Sequence, residues 1–228
     1  MARVSWQSLP AMFFDQAAKR RDQPFLWAKD DGAYRSIAWG ETAEHVNLLA
    51  GGLKALGVAK GDRVALISEN RPEWLIADHA IMAAGGITVP AFVTNTSADH
   101  RHVLTHSGAK GAIVSSRAIA QRLLPAALES SDLKFVISLE PLEIQQRVPF
   151  SVHDWDAVLA RGASMADGIA ARMERLNRQD VCCIIYTSGT GGTPKGVMLS
   201  HGAILCNCAG AIHVLAELGL DDEVFLSF

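Results

Sequence analysis

Apolar residues fall along this chain in two rhythms. Short runs, unbroken in Val64-Ala65-Leu66-Ile67, Ala112-Ile113-Val114 and Phe135-Val136-Ile137 and interrupted only by Thr88 in Ile87-Thr88-Val89, alternate with longer stretches in which apolar positions return every three or four residues. The first rhythm belongs to strands buried on both faces, and the second to helices that cover them. The spacing predicts strands at 63–67, 87–89, 112–115 and 135–138, and helices at 72–84, 98–107 and 118–128. Strands and helices in alternation build a mostly parallel sheet flanked by helices, so the fold class is α/β.

Ahead of this run, Ser8-Leu9-Pro10 introduces a helix over 11–20 with Met12, Phe13 and Ala17 on one face. The proline sits near the first turn, where its missing N–H does no harm. Strands at 25–28 and 34–37 flank Asp30-Asp31-Gly32, the composition of a hairpin turn, and a helix over 41–56 stops at Gly57. Residues 139–180 carry more charge and punctuation, with short helices expected at 154–160 and 166–176. A second run follows: a strand at 181–186, a glycine-rich loop, a helix over 202–218 and a terminal strand at 224–228 that needs a covering layer. The pattern divides the chain into a first α/β subdomain with its connecting segment, 1–178, and the start of a second, 179–228. It reads as the N-terminal part of a longer, truncated fold.

Composition narrows the possible functions. The chain has 228 residues, 49% hydrophobic and 20% charged, ordinary for a soluble globular protein. A net charge of -3 with interspersed signs offers no basic stripe, which excludes nucleic acid as a partner. No apolar core of a signal peptide opens the chain, and the cytoplasm is the expected compartment. The most apolar stretch, 80–93, is broken by Gly85-Gly86 and Pro90, so no transmembrane segment is expected. Cys182-Cys183 and Cys206-x-Cys208 are too close in sequence for an ordinary disulfide framework and suggest a reducing compartment.

Several constellations favour bland readings. His102 and His106 share a helix face at a spacing that can bind metal, with His100 nearby, yet no cysteine or carboxylate cluster accompanies them. A solvated helix face is expected there, and no metal site. Cys206 and Cys208 read as small core residues, Asp62 as a turn former with a solvated charge, and Ser200 as the cap of the helix after the loop. No G-x-S-x-G nucleophile elbow is present.

The chemistry concentrates in Tyr186-Thr187-Ser188-Gly189-Thr190-Gly191-Gly192-Thr193-Pro194-Lys195-Gly196. Its four glycines let backbone N–H groups turn toward an anion, while four hydroxyls and one ammonium can satisfy phosphate oxygens. A Walker A loop is excluded, because counting from Gly189 puts Pro194 where its second glycine belongs and Gly196 after the lysine. A G-x-G-x-x-G dinucleotide loop is excluded as well, since Pro194 replaces the last glycine.

This segment resembles the phosphate loop of the adenylate-forming (AMP-binding) superfamily, Y-T-S-G-T-T-G-x-P-K-G, departing from it only at Gly191. Loss of that hydroxyl removes one phosphate contact but keeps the backbone donor. Ile37 to Glu41 is similar to the family's T-W-x-E segment, Gly57 to Val64 to its G-V-x-K-G-D-x-V turn, and Thr105 to Lys110 to its D-S-G-A-K, with His106 at the aspartate. Ser68 to Trp74 and Asp222 to Phe228 are most similar to long-chain fatty-acid:CoA ligases.

The resemblance implies a ligase that converts a carboxylic acid to an acyl-adenylate with ATP, then to a thioester with coenzyme A. Thr187, Ser188, Gly189, Thr190, Gly191, Gly192 and Thr193 would hold the β- and γ-phosphates, with Mg2+ sharing their charge. Lys195 would be the catalytic cation on the departing pyrophosphate. A fatty or other carboxylic acid is the implied substrate; short-chain and aryl acids are alternatives within the family. The family's Y-G-x-T-E segment is absent, because Tyr34 and Tyr186 are the only tyrosines and neither is followed by it. The chain alone is therefore expected to be inactive. A non-catalytic module that binds phosphate or a partner through the same loop is the alternative from another class.

Overall fold

Along strand β3 (Arg63–Ile67), Val64 and Leu66 enter one hydrophobic layer while Ala65 and Ile67 enter another. This period of two is what makes a central strand the divider of two cores. The computed structural model describes residues 6–144, 146–165, 168–188 and 192–219, and within them β3 is the middle of a seven-stranded sheet. The others are β4 (Ile87–Pro90), β5 (Ala109–Val114), β6 (Phe135–Ser138), β7 (Ser151–Asp154), β8 (Val181–Thr187) and β9 (Lys195–Ser200), in the order β7-β6-β5-β3-β4-β8-β9. All neighbours run parallel except β8 and β9. The α/β class with a mostly parallel sheet holds.

One face of the sheet is covered by α1 (Leu9–Arg20), α2 (Trp39–Ala55), α3 (Pro72–Ala83) and α6 (Trp155–Gly162), which bury Phe13, Leu49, Ile81 and Trp155 against Val64 and Leu66. The other is covered by α4 (Ser97–Ser107) and α5 (Arg117–Glu129), through Leu104, Ile119 and Leu123. A short α7 (Gly168–Met173) precedes β8, and α8 (His201–Glu217) follows β9. The small sheet of β1 (Pro24–Asp30) and β2 (Ala33–Ala38) turns through Asp31 (φ 47°) and Gly32 (φ 82°), two positive φ values in succession, as a two-residue hairpin requires.

Most predicted elements lie where the periodicity put them, and β3 and β6 do so to the residue. The first helix starts two residues earlier than expected, because Ser8 caps it by accepting from the Ala11 N–H. Two strands are additions. Ser151–Asp154 has a single aliphatic residue and pairs with β6 at one sheet edge, while Lys195–Ser200 forms the other edge, with Met198 68% exposed. Edge strands lack the two-sided burial that makes an apolar run visible. β8 joins the sheet of the preceding strands through β4, by the pair Thr88–Cys183. The predicted strand at 224–228 lies outside the described residues, as do parts of the helix predicted at 166–176.

Two segments far apart in sequence lock together beside β3. Asp62 accepts from the Ala59 N–H and from Lys110 Nζ, both at 2.8 Å. Although burial works against its charge, these two bonds hold its carboxyl below the usual range. The expected solvated charge is thus corrected to a partly buried ion pair. All four cysteines are free, but Cys206 is exposed and Cys208 half-buried, so neither is the core residue expected. α8 buries only His201 and Leu205 among the described residues. No helix among them is long and apolar enough to cross a membrane.

His201 ties the two ends of this layer together, its Nδ1 accepting from the Leu9 N–H at 3.2 Å. Burial pushes its pKa down to about 4, against the pull of Asp180. An unfolded histidine titrates near ~6.5, so between these values the unfolded state binds more protons. Stability is therefore full above that range and falls as pH drops from neutrality toward 4, by up to about 3 kcal/mol from this group. Burial pushes His79 and His100 in the same direction. The melting temperature is expected to fall between pH 7 and pH 5, and His201→Asn to reduce that fall; an unchanged melting temperature across this interval would contradict the assignment.

Candidate phosphate-binding site

The glycine-rich loop is the tip of an antiparallel hairpin. β8 and β9 pair from Val181–Ser200 outward, ending in Tyr186–Gly196 and Thr187–Lys195, so the predicted anion ligands lie at and beyond the last paired position. Thr187, Ser188, Gly192, Thr193 and Lys195 are all exposed. Gly189, Thr190 and Gly191 lie outside the described residues. Thr187 and Lys195 stand directly opposite each other, which places a hydroxyl and an ammonium on the two sides of one loop neck.

Two glycines have local reasons. Gly192 has φ 91°, the left-handed region that a side chain strains. Gly196 lies opposite Tyr186, and a Cβ on it would stand 2.8 Å from Ile184 Cγ2 and 3.3 Å from Tyr186 Cζ. The tyrosine side chain thus lies over the bare backbone of its cross-strand neighbour. Ser200 caps α8 by accepting from the Ala203 N–H, as its position predicted.

The histidines of α4 depart from expectation. His100 is buried, with Nε2 unpartnered among the described groups. His102 Nε2 donates to the Pro194 carbonyl at 2.8 Å, and His106 Nδ1 lies 2.8 Å from Tyr186 Oη. The expected solvated face is corrected in part: Arg101, Thr105 and His106 stay exposed, but His102 and His106 both contact the loop neck. Burial raises the Tyr186 phenol above its ordinary value, which keeps its proton available for His106. A shallow concavity lined by Ala98, Arg101, His102, Thr105 and His106 adjoins the contact. The i, i+4 histidine spacing is the only sequence signal for this arrangement, and it says nothing of partners 80 and 92 residues away. Among the described residues no three His, Cys, Asp or Glu side chains group to hold a metal.

The donor set fits a polyanion. Residues 186–196 contain one cation, Lys195, and no carboxylate. Such a loop can meet phosphate oxygens with N–H groups, hydroxyls and an ammonium, but supplies no charged ligand for a divalent cation. Any Mg2+ would therefore have to be held largely by the phosphates themselves and by water.

Comparison with known proteins places the chain in a family. The family described as AMP-binding enzyme matches residues 13–228. Long chain acyl-CoA synthetase 3 of Arabidopsis thaliana is 28% identical over 223 residues, covering 92% of this chain and 33% of its own length. The long-chain-fatty-acid–CoA ligase FadD15 of Mycobacterium tuberculosis is 32% identical over 206 residues, with 90% and 33% covered. The chain thus spans about a third of the length of these curated relatives. Among solved structures, a long-chain-fatty-acid-CoA ligase from Archaeoglobus fulgidus superposes with a TM-score of 0.71 at 24% identity, covering 94% of this chain and 40% of that one. An anthranilate CoA ligase bound to anthranoyl-AMP shares the fold at a TM-score of 0.72 and 18% identity, with 86% and 35% covered. With a family match that runs from Phe13 to Phe228 and takes in both strands of the β8–β9 hairpin, the chain belongs to the AMP-binding enzyme family.

Proposed function

We propose that this chain supplies the phosphate-binding part of an ATP-dependent ligase acting on carboxylic acids, with long-chain fatty acids as the substrate class and coenzyme A as acyl acceptor. The observation that carries this reading is the loop neck, where Thr187 and Lys195 form the last pair before the loop and the segment 186–196 contains no carboxylate to repel phosphate. The names of the relatives support the acid and acceptor classes. In the reaction, a carboxylate oxygen attacks the α-phosphorus of ATP and the bond to pyrophosphate breaks, the leaving group taking the electron pair. The thiol of coenzyme A then attacks the acyl carbon and AMP leaves.

The residues of this chain act on the departing pyrophosphate. Thr187, Ser188, Thr190 and Thr193 would donate hydroxyl hydrogens to β- and γ-oxygens, Gly189, Gly191 and Gly192 would present backbone N–H groups, and Lys195 would offset the charge that builds as the bond breaks. Mg2+ arriving with the nucleotide would neutralise part of the same charge. Free cysteines support the cytoplasm as the compartment. We place the start of a second α/β subdomain at residue 179, just ahead of β8.

The 228-residue chain alone is expected to give no acid-dependent ATP–pyrophosphate exchange. Joined to the remaining two thirds of the Mycobacterium tuberculosis relative, it is expected to support exchange with long-chain acids, and to lose it on Lys195→Ala. A folded chimera whose exchange is indifferent to Lys195→Ala would contradict the reading.

A further inference from the structure

Among the described residues β8 pairs with β4 only at Thr88–Cys183, and the hairpin runs on toward its loop with β9 as its ladder partner. At that end α4 takes hold of both sides. His102 bonds the Pro194 carbonyl, just past the last rung on the β9 side, and His106 bonds the Tyr186 hydroxyl, one residue before that rung on the β8 side. The two imidazoles stack with centroids 5.3 Å apart, and each meets the Tyr186 ring edge-on, at 5.7 and 5.6 Å. One helix turn therefore spans the neck.

We propose that His102 and His106 are positioning residues for the phosphate loop, fixing its neck from α4 so that Thr187 and Lys195 meet a polyphosphate in a preset arrangement. The inference rests on the phosphate reading of the loop. Its physical basis is entropy. A glycine-rich loop has more conformational freedom to lose than other sequences, and anchoring both ends before binding reduces what the ligand must order. The two bonds differ in chemistry. A carbonyl only accepts, so His102 must carry hydrogen on Nε2, and a side-chain amide can replace it. The Tyr186–His106 bond is removed by deleting one hydroxyl, with both rings left in place.

The test uses the 228-residue chain with His102→Ala, His102→Gln and Tyr186→Phe. Hydrogen exchange is read at the amides of residues 184–187 and 195–198, and magnesium pyrophosphate affinity is measured by calorimetry. His102→Ala and Tyr186→Phe are each expected to speed exchange at these amides and weaken binding by about three- to tenfold, the worth of one hydrogen bond. His102→Gln is expected to restore both toward the parent, an outcome that simple loss of packing does not produce. Parental exchange and affinity in a folded His102→Ala chain and in Tyr186→Phe would overturn the positioning role while leaving the loop reading intact. A parent chain that does not bind magnesium pyrophosphate would instead remove the phosphate reading, and the positioning role with it.

Discussion

Replacing Lys195 with alanine is expected to weaken binding of magnesium pyrophosphate and MgATP by about ten- to a hundredfold. Lys195 is the only charged residue between Tyr186 and Gly196, and it stands exposed opposite Thr187 at the loop neck. A hydrogen bond to a charged group contributes roughly 1.5–3 kcal/mol, which sets the size of the effect. Its side chain has no hydrogen bond or ion pair within the described residues that the substitution would break, so the melting temperature should hardly change. Lys195→Arg keeps the charge but not the compact ammonium, and is expected to recover only part of the affinity. The check is calorimetric titration of the three chains. Equal affinities in parent and alanine variant would contradict the role assigned to this lysine.

The largest effect on stability is expected far from the loop, at Gly162→Ala. Helices α2 and α6 cross so closely that glycine faces backbone on both sides. A Cβ on Gly162 would lie 1.8 Å from the Leu48 carbonyl oxygen, and one on Gly52 2.4 Å from the Val158 oxygen. Neither obstacle is a flexible side chain, so the helices must separate, and Val46, Leu49, Leu53 and Val158 lose packing in the same core. Overpacking of this kind costs about 3 kcal/mol, a fall of roughly 6–12 °C in a chain of this size. A thermal melt of the single variant decides it, since a midpoint within about 2 °C of the parent would show that the crossing can relax.

Sequence periodicity found β3 and β6 to the residue and the C-terminal half of β5, because these strands are buried on both faces and show as short apolar runs. It failed at the two edges. Ser151–Asp154 contains little that is apolar, and Val197 and Met198 of β9 stay exposed, so neither strand is written as a core run. The loop stands out in the sequence because its glycines, hydroxyls and lysine are local, with every proposed phosphate donor lying within one short segment. Its support does not. His102 is 92 residues from Pro194 and His106 is 80 from Tyr186, and only folding brings α4 to the hairpin. The same limit applies to Asp62, whose partner Lys110 lies 48 residues away, and to Cys206 and Cys208, whose exposure depends on how little of α8 is covered.

If the β8–β9 hairpin carries a polyphosphate-binding loop, as we propose, titrating the isotope-labelled chain with magnesium pyrophosphate will show it by amide NMR. The predicted result is saturable shifts centred on Thr187, Ser188, Gly192, Thr193 and Lys195, with smaller changes at His102 and His106 and none in β6 or β7. Shifts that do not saturate, or that centre on any other part of the chain, would contradict it.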